Sequence, residues 1–526
     1  MSRHSHRLRR LLLVFGLLTA TRGTAQSVPD RGAFVLHIGA DTLVIERFAR
    51  VADTVTGSVS VKGQPRQDYV AITAADASIR SLTVNIFAAG AESGAAPLQR
   101  VTVTMRGDSV FADVGGNVQR FATRPGAIMV MNNSFALAEQ FTRRARAGGG
   151  SADIPGWALS GGTTLTLAVR PVGADSMTLE IAGQMERLRV DRQGRILGAV
   201  IPAQRLEVSR VDPAVAASLK LGKVDYSPPP GAPYTANDVT VHEADGITLG
   251  GTLTLPTGAH GPLPAVVTIT GSGQQDRDEY IPVAGGYRPF RQIADTLGRR
   301  GIAVLRLDDR MVGASTGKPG TSADYAHDIE AALAYLRTRA DIDSTRLALI
   351  GHSEGGMIAP MVAVDQPGLR GIVLLAGPAK NGADIIHYQQ RQAIDLDSVV
   401  PAAGRPAAYR AAAASLDSLV HRDPWVGFFV NYDPLATARK VRVPALILQG
   451  ATDHQVTPDQ AEMLANAMRQ GGDPDVTVRV FPGLDHLFVP DSSGLPSNYG
   501  RLATNRMSSS VLGTIADWLA RHLNVE

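Results

Sequence analysis

One stretch of this sequence, RLALIGHSEGGMIAP at residues 346–360, demands an abrupt change of backbone direction. Its apolar first half is typical of a buried strand, and its small and apolar second half is typical of a helix. A strand that turns at once into a helix crowds the turn and strains the residue at its centre. Gly351, Gly355 and Gly356 relieve that crowding. We therefore predict that Ser353 projects above the edge of a sheet, as a nucleophile does.

A second G-x-S-x-G sequence, GASTG at residues 313–317, also follows a strand-like run. The residues after it are Lys318, Pro319 and Gly320, so no helix can begin there without delay. We expect its serine, Ser315, to be a loop residue.

The sequence around Ser353 predicts an α/β domain over residues 239–526. Continuous apolar runs alternate with helix-length stretches, and they are PAVVTIT, GIAVLRLDD, RLALIGH, GIVLLAG and PALILQG. Strands that are apolar throughout are buried on both faces, which is typical of a doubly wound, mostly parallel sheet. The alternation stops between residues 377 and 443, where an Ala-rich stretch predicts a helical cap over about 378–440.

The preceding part of the chain has a different pattern. Apolar and polar residues alternate from Ala33 to about Val211, as in VTVTM at residues 101–105, and residues 134–147 alone look helical. Such alternation indicates strands with one wet face. We expect an antiparallel β-rich domain, a curved sheet or barrel, within residues 26–226. Prolines in SPPPGAPYTAND, residues 227–238, predict a linker between the two domains.

The first 25 residues predict an export signal. Four arginines precede a short apolar run, LLLVFGLLTA, and the small residues Gly23, Thr24 and Ala25 follow. Its five arginines, which no acidic residue offsets, account for the basic charge: without them the formal net charge changes from +3 to −2. The remaining chain therefore gives no electrostatic argument for binding nucleic acid or anionic membrane. We expect a periplasmic or secreted protein, with no membrane span.

Composition excludes several further classes. The sequence has no cysteine, which excludes thiol nucleophiles, thiolate metal sites and disulfides. Hydrophobic residues make up 44% and charged residues 19% of the chain, which is not the composition of a disordered protein. Phosphate-binding, dinucleotide-binding and H-E-x-x-H metal motifs are missing from the sequence, so we expect no cofactor and no metal.

A serine nucleophile needs a histidine base and a carboxylate that fixes the histidine tautomer. In a doubly wound hydrolase both follow the serine, the acid first, at the ends of later strands. Asp453 follows PALILQG, and His486 follows the next strand-like run, VTVRVF. We predict Asp453 as the acid and His486 as the base.

Other residues of the same types are less suitable. Asp459 follows a proline and is typical of the first turn of a helix, and Asp485 is too near His486 in sequence to lie behind its ring. Four later histidines are expected to be surface or packing residues: His387, His421, His454 and His522.

An oxyanion hole needs two backbone donors. The N–H of Glu354, at the start of the helix after Ser353, is one candidate. The glycine-rich turn in TITGSGQQDRDEY supplies the second, and Ser272 or a close neighbour is our candidate there. An ordinary tight turn remains the alternative for this loop. We expect Asp276, Arg277 and Asp278 to hold the loop through ion pairs.

Several pieces of residues 239–526 together resemble the α/β-hydrolase superfamily, near bacterial secreted esterases and the serine aminopeptidase or acylaminoacyl-peptidase-like branch. They include GSGQQDRDEY, IADTLGRRGIAVLRLDDRMVGASTG, IGHSEGGMIAP and GLDHLF. The resemblance implies Ser353 as nucleophile, Asp453 as acid and His486 as base. It also shows one departure, because Met311 stands where the family usually has glycine after DDR. The β-rich domain resembles no family that we can name.

The expected activity is hydrolysis of a small carboxylic ester through an acyl-enzyme. A peptidase or amidase acting through the same three residues is the alternative. A third interpretation is a non-catalytic envelope protein whose β-rich domain captures a ligand. The sequence gives no indication of the oligomeric state.

Overall fold

A computed structural model of the chain describes residues 29–525, apart from residues 93, 161, 182–183, 259–260 and 397–399. The predicted leader, residues 1–25, lies outside the described residues. Within the described ranges, no helix has the length and apolarity needed to cross a membrane.

The first domain is one long sheet that curves around a helix. Its strands form two meanders, β1–β8 and β9–β15, which are joined by the pairing of β1 with β15. Neighbouring strands are antiparallel, except that β9 and β10 are parallel. The strands are β1 (Asp30–Ile38), β2 (Asp41–Val51), β3 (Thr54–Val61), β4 (Arg66–Thr73), β5 (Ile79–Phe87), β6 (Gln99–Arg106), β7 (Ser109–Val114), β8 (Asn117–Ala122), β9 (Ile128–Val130), β10 (Ala152–Ala158), β11 (Thr164–Pro171), β12 (Ser176–Ile181), β13 (Gln184–Val190), β14 (Ile196–Ile201) and β15 (Leu206–Val211).

Helix α1 (Phe135–Ala147) fills the concave side of this sheet and packs against strands of both meanders. Its N-terminus is capped by Ser134, whose side chain accepts a hydrogen bond from the N–H of Leu137 at 3.3 Å. The carboxylate of Glu46, on β2, accepts bonds from the Ser134 hydroxyl at 2.5 Å and from the N–H of Ala136 at 3.0 Å. The expected antiparallel β-rich domain and its helix over residues 134–147 are thus confirmed. A short helix, α2 (Pro213–Ser218), follows the sheet.

The second domain is a doubly wound sheet of eight strands in the order β16-β17-β19-β18-β20-β21-β22-β23. The six strands from β18 to β23 are parallel, and β16 and β17 run antiparallel at one edge. This confirms the predicted α/β fold. The strands are β16 (Tyr234–His242), β17 (Thr248–Pro256), β18 (Leu263–Ile269), β19 (Ala303–Leu307), β20 (Ile342–His352), β21 (Gly371–Leu375), β22 (Ala445–Gly450) and β23 (Val476–Phe481).

Helices cover both faces of this sheet, which explains why its central strands are apolar throughout. One face packs against α4 (Ser322–Arg337), α5 (Glu354–Asp365) and α10 (Asp459–Gly471). The other packs against α3 (Pro289–Gly298) and α11 (Ser509–His522). Every residue of β18, β19, β21 and β22 is buried as a result.

Among the described residues between β21 and β22, where the sequence predicted a cap, there are four α-helices. They are α6 (Gly382–Leu396), α7 (Arg405–Val420), α8 (Pro424–Asn431) and α9 (Pro434–Ala438). Helices α6, α7 and α8 contact one another, and α9 packs instead against α5 and α10 of the main body.

The segment predicted as a linker, residues 227–238, differs from the expectation at its end. Strand β16 already begins at Tyr234. The residues from Tyr234 to Asp238 contain no proline, and they pair with β17, beginning with Tyr234 opposite Pro256. Polar contacts join the two domains: the N–H of Gly313 donates to the carbonyl of Gly63 at 3.0 Å, and the Arg205 guanidinium donates to the carbonyl of Leu502 at 3.2 Å.

Candidate active site

Ser353 lies at the turn between β20 and α5, with φ 53° and ψ −117°. A side chain in this region of backbone angles is strained, and the crowding around it explains why. A Cβ on Gly351 would overlap the carbonyl oxygen of Gly355, and one on Gly355 would overlap the carbonyl oxygen of Ile269. The glycines predicted to relieve the turn therefore sit where other backbone segments approach most closely.

His486 and Asp453 lie in the loops after β23 and β22, next to each other at the carboxyl edge of the sheet. The Nδ1–H of His486 donates to Oδ2 of Asp453 at 2.7 Å. Both side chains are buried, with 4% and 1% of their residue surface exposed. This bond fixes the tautomer of His486 and leaves its Nε2 as a proton acceptor.

Three further donors hold the carboxylate of Asp453. Its Oδ1 accepts the N–H groups of Gln455 at 2.7 Å and Val456 at 3.0 Å, and its Oδ2 also accepts the side-chain amide of Gln449 at 2.8 Å. These bonds stabilise the ionised carboxylate and orient it toward His486.

Ser353 and His486 line one cavity of about 370 Å³, together with the oxyanion candidates Ser272 and Glu354. The cap contributes its apolar wall, through Ile385, Ile386, Trp425 and Phe429. Ser353, His486 and both oxyanion candidates thus lie on one cavity, which is of a size typical of small-molecule sites.

Two backbone N–H groups near Ser353 are candidates for the oxyanion hole. The N–H of Glu354 is in the first turn of α5, where N–H groups have no acceptor within the helix. In the loop after β18, the N–H of Gly271 donates to Glu279 Oε1 at 3.1 Å. Among the described residues the N–H of Ser272 makes no hydrogen bond, so it remains the candidate in this loop.

Glu279 and His352 form a network that the sequence did not reveal. The Nδ1–H of His352 donates to Oε1 of Glu279 at 2.7 Å, and its Nε2–H donates to the backbone carbonyl of His486 at 3.0 Å. Because both ring nitrogens face acceptors, His352 is an imidazolium. Burial is the largest single influence on the pKa of His352 and lowers it, but the charge and hydrogen bond of Glu279, the bond to the His486 carbonyl and the charge of Asp453 together raise that pKa. Two sequence features could have indicated this network: the DRDE sequence, which ends at Glu279, and the histidine that precedes Ser353.

The carboxyl group of Glu354 connects the serine turn to the cap. It accepts the Ser322 hydroxyl at 2.6 Å and the indole N–H of Trp425, on α8, at 2.8 Å. Burial raises the pKa of Glu354, and these hydrogen bonds oppose the effect.

The alternative acids and histidines lie elsewhere. Asp459 begins α10 and pairs with Lys380 at 3.0 Å, and Asp485 accepts the N–H groups of Leu487 and Val489 in its own loop. The other histidines contact cap or surface groups: His454 bonds Tyr388, His421 bonds the Asp417 carbonyl and His522 bonds the Trp518 carbonyl, while His387 lies on α6.

Ser315 is a buried loop residue, as expected. Its hydroxyl accepts the N–H of Gly250 at 2.9 Å and donates to the carbonyl of Asp308 at 2.8 Å. Met311, at the position where the family resemblance implied glycine, has φ 69° and is buried. The loop therefore keeps a left-handed residue without the glycine that favours it.

Ion pairs hold the loop after β18, as predicted. Arg277 pairs with Asp308 at 2.7 Å, and Arg288 contacts Asp276 at 3.3 Å and Asp278 at 3.2 Å. Within the described part of the chain, no group of three or more His, Asp or Glu side chains is placed to hold a metal ion.

Comparison with known proteins finds relatives among hydrolases. Residues 284–493 match the family described as serine aminopeptidase, S33. The esterase EstD of Thermotoga maritima is 28% identical over 296 residues, 55% of this chain and 68% of that protein. The α/β-hydrolase domain-containing protein WAV2 of Arabidopsis thaliana is 28% identical over 186 residues, 35% of this chain and 54% of its own length. A solved esterase of Pyrococcus furiosus covers 57% of this chain and 96% of its own, at 18% identity and a TM-score of 0.41. The family match spans Ser353, Asp453 and His486 and begins after Ser272.

Proposed function

We propose that this chain, which belongs to the α/β-hydrolase superfamily, hydrolyses carboxylic esters through an acyl-enzyme formed on Ser353. The observation that carries the proposal is the shared cavity: a serine at a strained turn lines it together with a histidine whose other nitrogen is held by a buried carboxylate. These are the parts that activate a serine for acyl transfer.

In the first step, Nε2 of His486 takes the proton of the Ser353 hydroxyl while its Oγ attacks the ester carbonyl. The carbonyl oxygen becomes an oxyanion, which accepts hydrogen bonds from the N–H groups of Glu354 and Ser272. His486 then gives its proton to the alkoxide that leaves, and the acyl group stays on Ser353. In the second step His486 takes a proton from water as the water oxygen attacks the acyl carbonyl; His486 then returns that proton to the Ser353 oxygen as its bond to the acyl group breaks, which releases the acid.

The charges around the cavity favour an ester over a peptide with a free amino group. In the described part of the chain, the carboxylates that line the cavity are those of Glu279 and Glu354. The first is balanced by the charge of His352, and burial raises the pKa of the second. Neither presents an unpaired negative charge to a protonated α-amine. An ester also needs less protonation of its leaving group than an amide does.

The alternative, a peptidase, is favoured by the description of the matching family as a serine aminopeptidase. Turnover of a short p-nitrophenyl ester and of a set of aminoacyl anilides separates the two. We expect the ester to be cleaved with the higher kcat/KM, and faster cleavage of an anilide would replace the esterase assignment with the peptidase.

The variant Ser353→Ala tests the nucleophile. We expect kcat to fall by roughly 10⁴-fold or more, because the variant cannot form an acyl-enzyme. A fluorophosphonate should label the wild type and not the variant, and Ser315→Ala is the matched control that should still be labelled. Labelling that persists in folded Ser353→Ala would contradict the proposal.

A further inference from the structure

The curved sheet of the first domain leaves a second cavity, separate from the one around Ser353. Its volume is about 440 Å³, and it lies where strands β5–β8 face β9 and β10. Beside it, the chain just after β8 contacts the start of β11, since the hydroxyls of Thr123 and Thr164 are 2.9 Å apart and Arg124 donates to the carbonyl of Leu165 at 2.9 Å. The cavity is thus bounded by a nearly closed sheet.

The walls of this cavity are mostly apolar. Side chains from both ends of the sheet line it, including Val84, Val101, Ala112, Phe121, Met131 and Trp157. The indole N–H of Trp157 already donates to the carbonyl of Gly162 at 3.1 Å, so the ring offers its apolar faces. Such a lining is suited to a hydrocarbon chain.

The cap of the second domain supplies the mouth of the cavity. Leu419 and Arg422, at the end of α7, and Asp423, before α8, lie at its rim. The guanidinium of Arg422 is 4.5 Å from the centre of the Phe121 ring. It forms no ion pair with any carboxylate of the described residues. The Oδ1 oxygen of Asp423 accepts the N–H groups of Trp425 at 2.9 Å and Val426 at 3.2 Å, so this carboxylate caps the start of α8. An available positive charge therefore stands at the opening of an apolar cavity.

We propose that this cavity binds a single-chain amphiphile with a carboxylate head group, a fatty acid, with its chain among the apolar walls and its head at Arg422. The volume of about 440 Å³ lies in the range of small-molecule sites, which includes the size of a medium-chain fatty acid. The uncharged side chains of Gln67 and Gln119 add hydrogen-bonding groups to the lining. The site does not depend on acyl transfer at Ser353.

Calorimetric titration of the protein with dodecanoate, below its micellar concentration, tests the site. We expect one bound molecule and a Kd in the micromolar range. Arg422→Glu should weaken binding at least tenfold, because it places a negative charge beside the carboxylate. Arg410→Glu makes the same change at an exposed position of α7 away from the cavity and should leave the Kd unchanged. Dodecyltrimethylammonium, with the opposite head-group charge, should bind at least tenfold more weakly than dodecanoate.

A second variant tests the chain-binding part of the cavity. Val101→Trp fills the apolar space and should abolish binding, whereas Val118→Trp, at a residue that is 59% exposed on β8, should not. If Val101→Trp fails to fold, as judged by circular dichroism, Arg422→Glu decides alone. The proposal is overturned if dodecanoate does not bind, if the cationic amphiphile binds equally well, or if binding survives Arg422→Glu unchanged. Binding that persists in folded Val101→Trp overturns it too, since the ligand would then occupy another cavity.

Discussion

The charge on His352 links three backbone segments of the candidate active site. Its ring donates to Glu279, which also accepts the N–H of Gly271, and to the backbone carbonyl of His486. His352 itself precedes Ser353. If the His352 ring loses a proton, one of its two hydrogen bonds is lost. His352 therefore acts on the site as a positioning residue.

Glu279→Gln tests this role through pH dependence. A histidine whose pKa is raised in the folded state holds its partners below that pKa and releases them as pH rises through it. The substitution removes the charge of Glu279, the largest of the influences that raise the pKa of His352. We therefore expect the alkaline fall of kcat/KM to begin at a lower pH than in the wild type, with a smaller change at acidic pH.

The surface pair of His327 and Glu330, at 3.1 Å on α4, provides the control. Glu330→Gln removes a carboxylate from a histidine in the same way, outside the cavity, and should leave the pH profile unchanged. An alkaline limb that does not move in Glu279→Gln would show that His352 has no part in positioning His486.

At the scale of single elements, the serine turn depends on glycines for space. Gly355→Ala would place a methyl group against the carbonyl oxygen of Ile269, which belongs to β18 and cannot move alone. We expect the free energy of unfolding to fall by about 2 kcal/mol or more, together with loss of activity. Urea denaturation measures the change.

Gly513→Ala is the matched control for that substitution. Gly513 lies in α11, and a Cβ there meets no atom within 4 Å. Alanine should stabilise the helix by about 0.5–1 kcal/mol. If both substitutions changed the free energy of unfolding equally, close backbone approach would not be the reason for glycine at position 355.

Helix α1 is held in the first domain by a buried acid whose ionisation is unfavourable. Burial raises the pKa of Glu46 to about 7, in spite of its bonds from Ser134, Tyr69 and Ala136. An acid with a raised pKa binds more protons in the folded state, so stability falls as pH rises from about 4.5 to 7. The maximum loss is roughly 3 kcal/mol.

Glu46→Gln should remove this loss. The denaturation midpoint of the variant should therefore rise relative to that of the wild type as the pH increases from 5 to 8. Glu139, also buried, is the contrasting control, because Arg50 and Arg210 bond its carboxylate at 2.8 and 2.6 Å. Glu139→Gln removes the buried one of the two carboxylates that pair with these cations, leaving Asp30, and should destabilise the domain by roughly 3 kcal/mol. A wild type whose stability is flat over this pH range would contradict the expectation for Glu46.

At the scale of the whole molecule, the cap connects the two domains. Arg422 and Asp423, where α7 ends and α8 begins, border the cavity of the first domain, while Trp425 and Phe429 of α8 line the cavity around Ser353. Helix α8 therefore stands between the two cavities. It is tied to the serine turn by the bond from Trp425 to Glu354.

We also propose that the chain is exported and loses its first 25 residues. Expression of the whole sequence in a Gram-negative host should give a periplasmic protein whose N-terminal peptide, identified by mass spectrometry, begins at Gln26. Leu12→Asp interrupts the apolar run and should retain the uncleaved chain in the cytoplasm. An uncleaved wild type in the cytoplasm would remove the proposal.

The sequence by itself determined those features that depend on local pattern. Strand period, continuous apolar runs and the glycines around Ser353 predicted both sheets, α1 and the strand–turn–helix of the candidate nucleophile, because each reflects burial or backbone angle along one segment. The choice of Asp453 and His486 followed from strand order, and the structure places them in contact.

Tertiary structure alone decided the features that join segments distant in the chain. The pairing of β1 with β15, the network of Glu279 and His352 with the carbonyl of His486, and the two cavities beside the cap each depend on residues far apart in sequence. The pattern of residues along one segment does not indicate such contacts, because it is the same whichever distant residue packs against a given carboxylate or histidine. The protonation of His352 and the charge at the mouth of the first cavity follow from these neighbours.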